Sequence, residues 1–112
     1  MKKNPLKLNK LQLKTLTLFQ ELAKSPLTST LDEETGEVSI TGFPDPHGNH
    51  FHIGSKVVMA SDATGFKNEG VWQVLHRKGL AKATYPVVII LNKEGLAYDT
   101  GMYDKILHGS DH

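Results

Sequence analysis

The sequence contains no cysteine, and this absence removes several kinds of chemistry at once. Disulfide bonds, zinc sites built from thiolates and cysteine nucleophiles are all excluded. Long apolar stretches are also missing, because the longest continuous run, Val87 to Leu91, is far below the roughly 20 residues of a membrane-spanning helix. Residues 1–8 carry lysines but no apolar core or cleavage signal, so we expect no signal peptide. We therefore expect a cytoplasmic protein without a membrane span.

Motifs of the common enzyme classes are absent as well. The chain has no Gly-x-Ser-x-Gly elbow, no Gly-x-x-x-x-Gly-Lys phosphate loop and no dinucleotide fingerprint. We therefore predict no catalytic residues and no enzymatic activity. The single tryptophan, Trp72, and Tyr85 are interpreted as core or interface aromatics, which bury a large area at low entropic cost.

The charges nearly cancel over the whole chain, which has a formal net charge of +1. Residues 1–24, however, hold six lysines against the single acid Glu21. A basic start of this kind suits contact with nucleic acid or an anionic surface, and it equally suits a solubilising helix face. The 112 residues can bury one modest core, which predicts a single domain over residues 1–112.

An amphipathic helix is the first element that the pattern predicts. Asn9 is typical of an N-cap, and the Ser25-Pro26 pair ends the pattern, so the helix should run to about Lys24. Its apolar arc is wide and comprises Leu11, Thr15, Leu16, Leu18, Phe19, Leu22 and Ala23. Such an arc either faces a second copy of the chain, giving a homodimer through residues 9–24, or is covered by a neighbouring segment.

Two strands follow, because residues 37–41 and 50–53 alternate polar and apolar side chains. Residues 43–49 between them include two prolines, a glycine and an asparagine, which are typical of a rigid turn. This arrangement predicts a β-hairpin whose inward-facing side chains are Val38, Ile40, Phe51 and Ile53.

The next segment, residues 56–64, fits either a buried strand or a short helix capped by Ser55, and periodicity does not decide between them. Asn68 then predicts the cap of a helix that reaches Lys78, with Gly79 as its stop.

A second hairpin is predicted further along the chain. The run from Pro86 to Leu91 is rich in β-branched residues, as buried strands are, and residues 92–95 are typical of a turn. The turn leads into a short partner strand at Leu96-Ala97-Tyr98.

The order of elements over residues 57–100 resembles a winged helix-turn-helix of the small bacterial regulator type. The stretch "RKGLA", followed by "VVIILNKEGLAYDTG", is similar to the helix end and wing of the multiple-antibiotic-resistance regulators. In this resemblance Gly65 makes the tight turn between two packed helices, with positive φ. The implied fold is α+β and winged-helix-like, with an N-terminal helix, a β-hairpin, a helix-turn-helix and a C-terminal hairpin wing.

The resemblance implies that the chain binds duplex DNA as a regulator. The helix over 68–78 would enter the major groove with Gln73, His76, Arg77 and Lys78, and Lys93 at the wing tip would touch the backbone. Two features depart from the family: the histidine-rich hairpin is a large insertion, and residues 56–112 carry seven basic against six acidic side chains. A protein-interaction adaptor on the same scaffold is the alternative.

The densest group of possible metal ligands is Asp45, His47, His50 and His52. Strand alternation places His50 and His52 on one outward face, and neutral imidazoles with a carboxylate suit Zn²⁺. The alternative is a polar hairpin face whose histidines hydrogen-bond locally. Two further histidines, His108 and His112, would join only if the tail folds back.

Overall fold

A computed structural model describes residues 4–109, in which helices pack against two antiparallel sheets in an α+β fold. The elements in chain order are α1 (Lys10–Leu22), β1 (Ser29–Leu31), β2 (Val38–Ile40), β3 (His50–Ile53), β4 (Lys56–Met59), two short 3₁₀ helices that we call the 3₁₀ pair (Ala60–Asp62 and Thr64–Lys67), α2 (Glu69–Arg77), β5 (Ala81–Thr84), β6 (Val88–Leu91), α3 (Lys93–Ala97), α4 (Tyr103–Ile106) and β7 (His108–Gly109). None of the helices within residues 4–109 combines the length and apolar character that crossing a lipid bilayer requires.

Helix α1 begins where the sequence predicts. The Asn9 side chain accepts a hydrogen bond from the Gln12 amide at 2.8 Å, and the Gln12 side chain accepts one from the Asn9 amide at 2.9 Å. This reciprocal capping box satisfies two backbone donors that the first turn leaves without helical partners. The helix ends at its C-cap Ala23, just before the Ser25-Pro26 pair.

The apolar arc of α1 is covered by the chain itself. Leu16, Leu18 and Phe19 have no exposed surface, and the remaining arc residues are buried or half-buried. Of the two explanations for the wide arc, coverage by neighbouring segments is confirmed. The expected dimer face on residues 9–24 is not left open, because α1 is the central helix of the core.

The larger sheet has the strand order β1-β2-β6-β5, and all its neighbours are antiparallel. The strand predicted at 37–41 is present as β2, but its partners are β1 and β6. Ser39 lies opposite Thr30 on one side and Ile90 on the other. The predicted hairpin between 37–41 and 50–53 is therefore wrong, because β2 pairs with a strand from the far end of the chain that is equally apolar.

The smaller sheet has the order β3-β4-β7. Residues 56–59 form its central strand, with Val57 opposite His52 on β3 and opposite His108 on β7. Val58 is fully buried and Met59 is 40% exposed, which is the alternation of a strand with one face on the core. The prediction that residues 57–64 form the first helix of a helix-turn-helix is therefore wrong. Helical structure begins only at Ala60, in the 3₁₀ pair.

Gly65 serves a different purpose from the one predicted. It lies within the 3₁₀ pair, is buried, and does not have a positive φ. A Cβ at this position would lie 1.8 Å from Oγ1 of Thr15 on α1. Glycine is required here because the backbone of Gly65 packs directly against the Thr15 side chain of α1.

Helix α2 follows the prediction closely, whereas the segment after β6 does not. The Asn68 side chain accepts from the Val71 amide at 3.3 Å, and Gly79 ends the helix with φ of 79°. Residues 93–97 form helix α3, N-capped by Asn92, which accepts from the Gly95 amide at 2.8 Å. The hairpin predicted from 86–91 and 96–98 is therefore wrong, and the actual hairpin is β5-β6.

Aromatic rings fill the centre of the core between α1, the 3₁₀ pair and α2. The rings of Phe19 and Trp72 meet edge to face at 5.4 Å, and Trp72 is 1% exposed. Its indole N–H donates to the Gly65 carbonyl at 3.2 Å, so the buried donor is satisfied. Trp72 is therefore a core aromatic, and the half-buried Tyr85 packs against it with ring centres 5.0 Å apart.

Candidate functional site

Helix α2 divides into a buried side and an exposed side. Val71, Trp72 and Leu75 face the core. Four of the five predicted DNA-contacting residues are exposed on this helix or at its C-cap: Gln73, His76, Arg77 and Lys78. Glu69, near the N-terminus of the helix, is also exposed. The helix therefore presents a continuous polar surface next to the β5-β6 hairpin.

His76 makes a tertiary hydrogen bond that the sequence does not predict. Its Nδ1 accepts a hydrogen bond from the Ala83 amide of β5 at 3.0 Å. An imidazole that accepts at Nδ1 carries its proton on Nε2 when neutral. His76 thus joins α2 to the hairpin and keeps one N–H donor for another partner.

Lys93 does not lie where the resemblance places it. It is the first residue of α3, and its side chain covers Gly36 in the turn between β1 and β2, where a Cβ would lie 2.7 Å from Cε of Lys93. The tip of the β5-β6 hairpin is residues 85–87, which carry no basic side chain. The prediction that Lys93 contacts the DNA backbone from a wing tip is therefore wrong, because residues 93–97 form helix α3 and not part of a hairpin.

The charge near α2 is modest. Arg77 and Lys78 end the helix, and Lys82 on β5 adds a third positive charge. Nζ of Lys82 lies 3.8 Å from a carboxylate oxygen of Glu37, and the lysine side chain is 70% exposed. A pair so open to solvent is weak, so Lys82 remains available to an anionic partner.

A pocket of about 590 Å³ lies between the 43–48 loop, β3 and the 3₁₀ pair. Three phenylalanines, Phe43, Phe51 and Phe66, form much of its wall, and its remaining lining residues are Pro44, Asp45, Pro46, Gly48, Ala60, Ala63, Thr64, Lys67 and Pro86. The lining is mainly apolar, with a few polar groups at the edge, as in pockets that bind small molecules.

The three predicted metal ligands come together at the start of the smaller sheet. Ring centres of His47 and His52 are 5.1 Å apart, those of His50 and His52 are 5.0 Å apart, and those of His47 and His50 are 6.2 Å apart. Nδ1 of His50 lies 3.4 Å from Oδ1 of Asn49, so the local contacts expected in the alternative are also present. No group of three His, Asp or Glu side chains within residues 4–109 is already arranged to hold a metal ion.

The end of the described chain folds back onto the smaller sheet, where His108 and Gly109 form β7 and pair with β4. His108 of β7 lies opposite Val57, which in turn lies opposite His52, so these three side chains share one face of the smaller sheet. His108 is exposed. His112, the other tail histidine considered from the sequence, is outside the described residues.

Comparison with protein-family models, curated proteins and solved structures finds no match to this chain.

The pocket is the feature that sequence reasoning missed. Its walls come from three separate parts of the chain, and pairing between β3 and β4 brings two of them together. A signal was nevertheless present, because the 43–46 segment places a phenylalanine and two prolines where an ordinary turn would be polar.

Proposed function

We propose that this chain binds duplex DNA through the exposed side of α2, with the β5-β6 hairpin beside it. The observation that carries the proposal is the division of α2 into a buried apolar side and an exposed side bearing Gln73, Arg77 and Lys78. Side chains of these types recognise base edges and phosphates when a helix lies in the major groove.

The connection of the elements supports this proposal in a revised winged-helix form. Strands β2, β6 and β5 are adjacent in that order, and α2 immediately precedes the β5-β6 hairpin. In this form the 3₁₀ pair takes the position of the first helix of the helix-turn-helix, and β3-β4 is an insertion before it. Contact of Gly65 with Thr15 holds the 3₁₀ pair against α1, leaving the outer side of α2 uncovered.

Five of the exposed residues have specific roles in the proposal. Arg77 donates two hydrogen bonds to O6 and N7 of guanine, and Gln73 pairs with N6 and N7 of adenine. Lys78 and Lys82 contact phosphates, which fixes the register of the helix without reading sequence. Glu69 accepts from the amino group of cytosine, the base contact that suits a carboxylate.

Fluorescence anisotropy with labelled random duplex at low salt tests the proposal. We expect association that weakens steeply as salt rises, because Lys and Arg displace counterions from DNA. Arg77→Ala should weaken binding to a selected site by about 5- to 150-fold, corresponding to about 1–3 kcal/mol.

The matched control is Lys105→Ala, which removes the same charge from α4. It should bind DNA as the unmodified chain does. Absence of any association at low salt, or an equal loss in both variants, would refute the assignment to α2.

The pocket favours a second candidate function, the binding of a small apolar molecule. Phe43 lies 5.5 Å from Trp72, so occupancy of the pocket should change tryptophan emission. A hydrophobic dye such as anilinonaphthalene sulfonate should bind at one site with a change in Trp72 fluorescence. Ala60→Phe, which places a ring in the pocket wall, should reduce dye binding, whereas Met59→Phe on the adjoining exposed position should not. Equal dye binding by both variants would contradict this function.

A further inference from the structure

A tight turn places His47 and His50 side by side. The His47 amide donates to the His50 carbonyl at 2.7 Å, and the His50 amide donates to the His47 carbonyl at 3.3 Å. Gly48, the first of the two residues between them, has φ of 65°, a conformation that favours glycine and allows a two-residue turn. Residues that exchange both backbone bonds in an antiparallel bridge project their side chains to the same face.

Strand β3 adds the third imidazole to that face. His52 is two residues beyond His50, and alternate residues of a strand share a face. Pairing of His50 with Met59 and of His52 with Val57 fixes the strand in this register. His47 and His52 are exposed and His50 is half-buried, so the three rings lie where an ion from solvent reaches them.

The spacing of the rings is that of ligands around a single ion. An imidazole nitrogen binds Zn²⁺ at about 2.0–2.1 Å, which puts ring centres about 3.2 Å from the ion and about 5 Å from one another at a tetrahedral angle. Two of the three separations are 5.0 and 5.1 Å. The third, 6.2 Å between His47 and His50, exceeds this value by about 1 Å, a small adjustment for a turn residue on the surface.

Rotation of the rings is the change that metal binding requires. The bond from Cβ to Cγ points towards the ring centre, so turning about it moves the nitrogens and leaves the centre nearly in place. This torsion is soft in histidine. Backbone pairing therefore sets the positions of the rings, and an ion at their common point would replace present contacts of the nitrogens, such as that of His50 Nδ1 with Oδ1 of Asn49.

We propose that His47, His50 and His52 form a binding site for one divalent transition-metal ion of the zinc class. Three neutral imidazoles suit Zn²⁺, Co²⁺, Ni²⁺ and Cu²⁺, whereas Mg²⁺ and Ca²⁺ prefer oxygen ligands. The fourth position is taken by water or by the carboxylate of Asp45, which is exposed two residues before His47. This site is separate from the α2 surface and does not depend on DNA binding.

Calorimetric titration of the full, untagged chain with ZnCl₂ tests the site. We expect one ion per chain, and no comparable binding of Mg²⁺. His50→Gln and His52→Gln should each weaken Zn²⁺ binding by at least roughly 100-fold, since loss of second-shell partners alone costs 10–100-fold. Circular dichroism should show an unchanged fold, because neither side chain belongs to the buried core.

His108→Gln is the matched control, since it removes an exposed histidine from the same sheet face but outside the three-ring cluster. It should retain Zn²⁺ affinity within a few-fold of the unmodified chain. Binding of less than one equivalent, unchanged affinity in His50→Gln and His52→Gln, or an equal loss in His108→Gln would each overturn the assignment.

Discussion

Replacing Gly65 by alanine should be among the most damaging single changes in this protein. The added Cβ would lie 1.8 Å from Oγ1, 2.8 Å from Cβ and 2.9 Å from Cγ2 of Thr15. Thr15 is fully buried, and its hydroxyl donates to the Leu11 carbonyl at 2.8 Å, so it has no free space to rotate into. The 3₁₀ pair and α1 would have to separate by more than 1 Å to restore ordinary contact distances.

The cost of that separation can be bounded from packing. Overfilling a well-packed core typically costs about 1–3 kcal/mol, and an overlap this deep with the fully buried side chain of Thr15 belongs at the upper end. We expect Gly65→Ala to lower the free energy of unfolding by about 3 kcal/mol, a large part of the 5–15 kcal/mol typical of a domain. Separation would also weaken the hydrogen bond from the Trp72 indole to the Gly65 carbonyl.

Urea unfolding followed by Trp72 fluorescence and circular dichroism measures the effect. Gly70→Ala makes the same chemical change in α2, where the nearest atom to the new Cβ is Oδ1 of Asn68 at 3.2 Å, and it should stay within about 1 kcal/mol of the unmodified chain. In the double variant Thr15→Ala with Gly65→Ala, the closest contact is relieved, so part of the loss should be recovered. A stability for Gly65→Ala within about 0.5 kcal/mol of the unmodified chain would refute the reasoning.

Two further predictions concern polar links to α1. The Thr17 hydroxyl donates to the Leu13 carbonyl, so it accepts from the buried Thr100 O–H, and Thr17→Val leaves that O–H without an acceptor. This change should cost about 1–3 kcal/mol in urea unfolding, whereas the double variant Thr17→Val with Thr100→Val should recover part of it. A Thr17→Val stability equal to that of the unmodified chain would contradict the role of this hydrogen bond. Asp62→Asn breaks the 2.6 Å ion pair with Lys14 and should lower stability by about 1 kcal/mol, a difference that shrinks in high salt. A difference independent of salt would point to packing rather than charge.

Elements with local signals were predictable from the sequence. Asn9 and Asn68 each cap the helix that the apolar period predicts, and both helices are present with nearly the predicted bounds. Strands at 38–40 and 50–53 also follow the predicted alternation. In each case the information lies within one or two turns of the chain.

Strand partners were not predictable, because pairing depends on residues distant in sequence. Neighbouring strands β2 and β3 were expected to pair, yet they belong to different sheets. Asn92 was interpreted as a turn residue, although asparagine caps helices as readily as it begins turns. Because Asn92 is taken for a turn residue, the sequence pattern predicts a hairpin where α3 lies and places Lys93 at its tip.

The residues of the candidate sites also divide into those that a local pattern predicts and those that come together only through tertiary contacts. The exposed set on α2 comes directly from the helical period, and the shared face of His50 and His52 comes from strand alternation. The pocket and the link from His76 to Ala83 depend on tertiary contacts, and the apolar character of residues 43–46 is the one local sign of the pocket.

The position of β6 between β2 and β5 has a consequence for how the chain folds. On one side Val38 and Ile40 pair with the nearby strand β1, but on the other side their partners are Leu91 and Ile89, so the larger sheet closes only after β6 has been made. Pairing across so long a loop is entropically costly and slow compared with helix formation. A nascent chain ending before Val88 would expose the inner edge of β2, so the larger sheet cannot form until Leu91 has been synthesised.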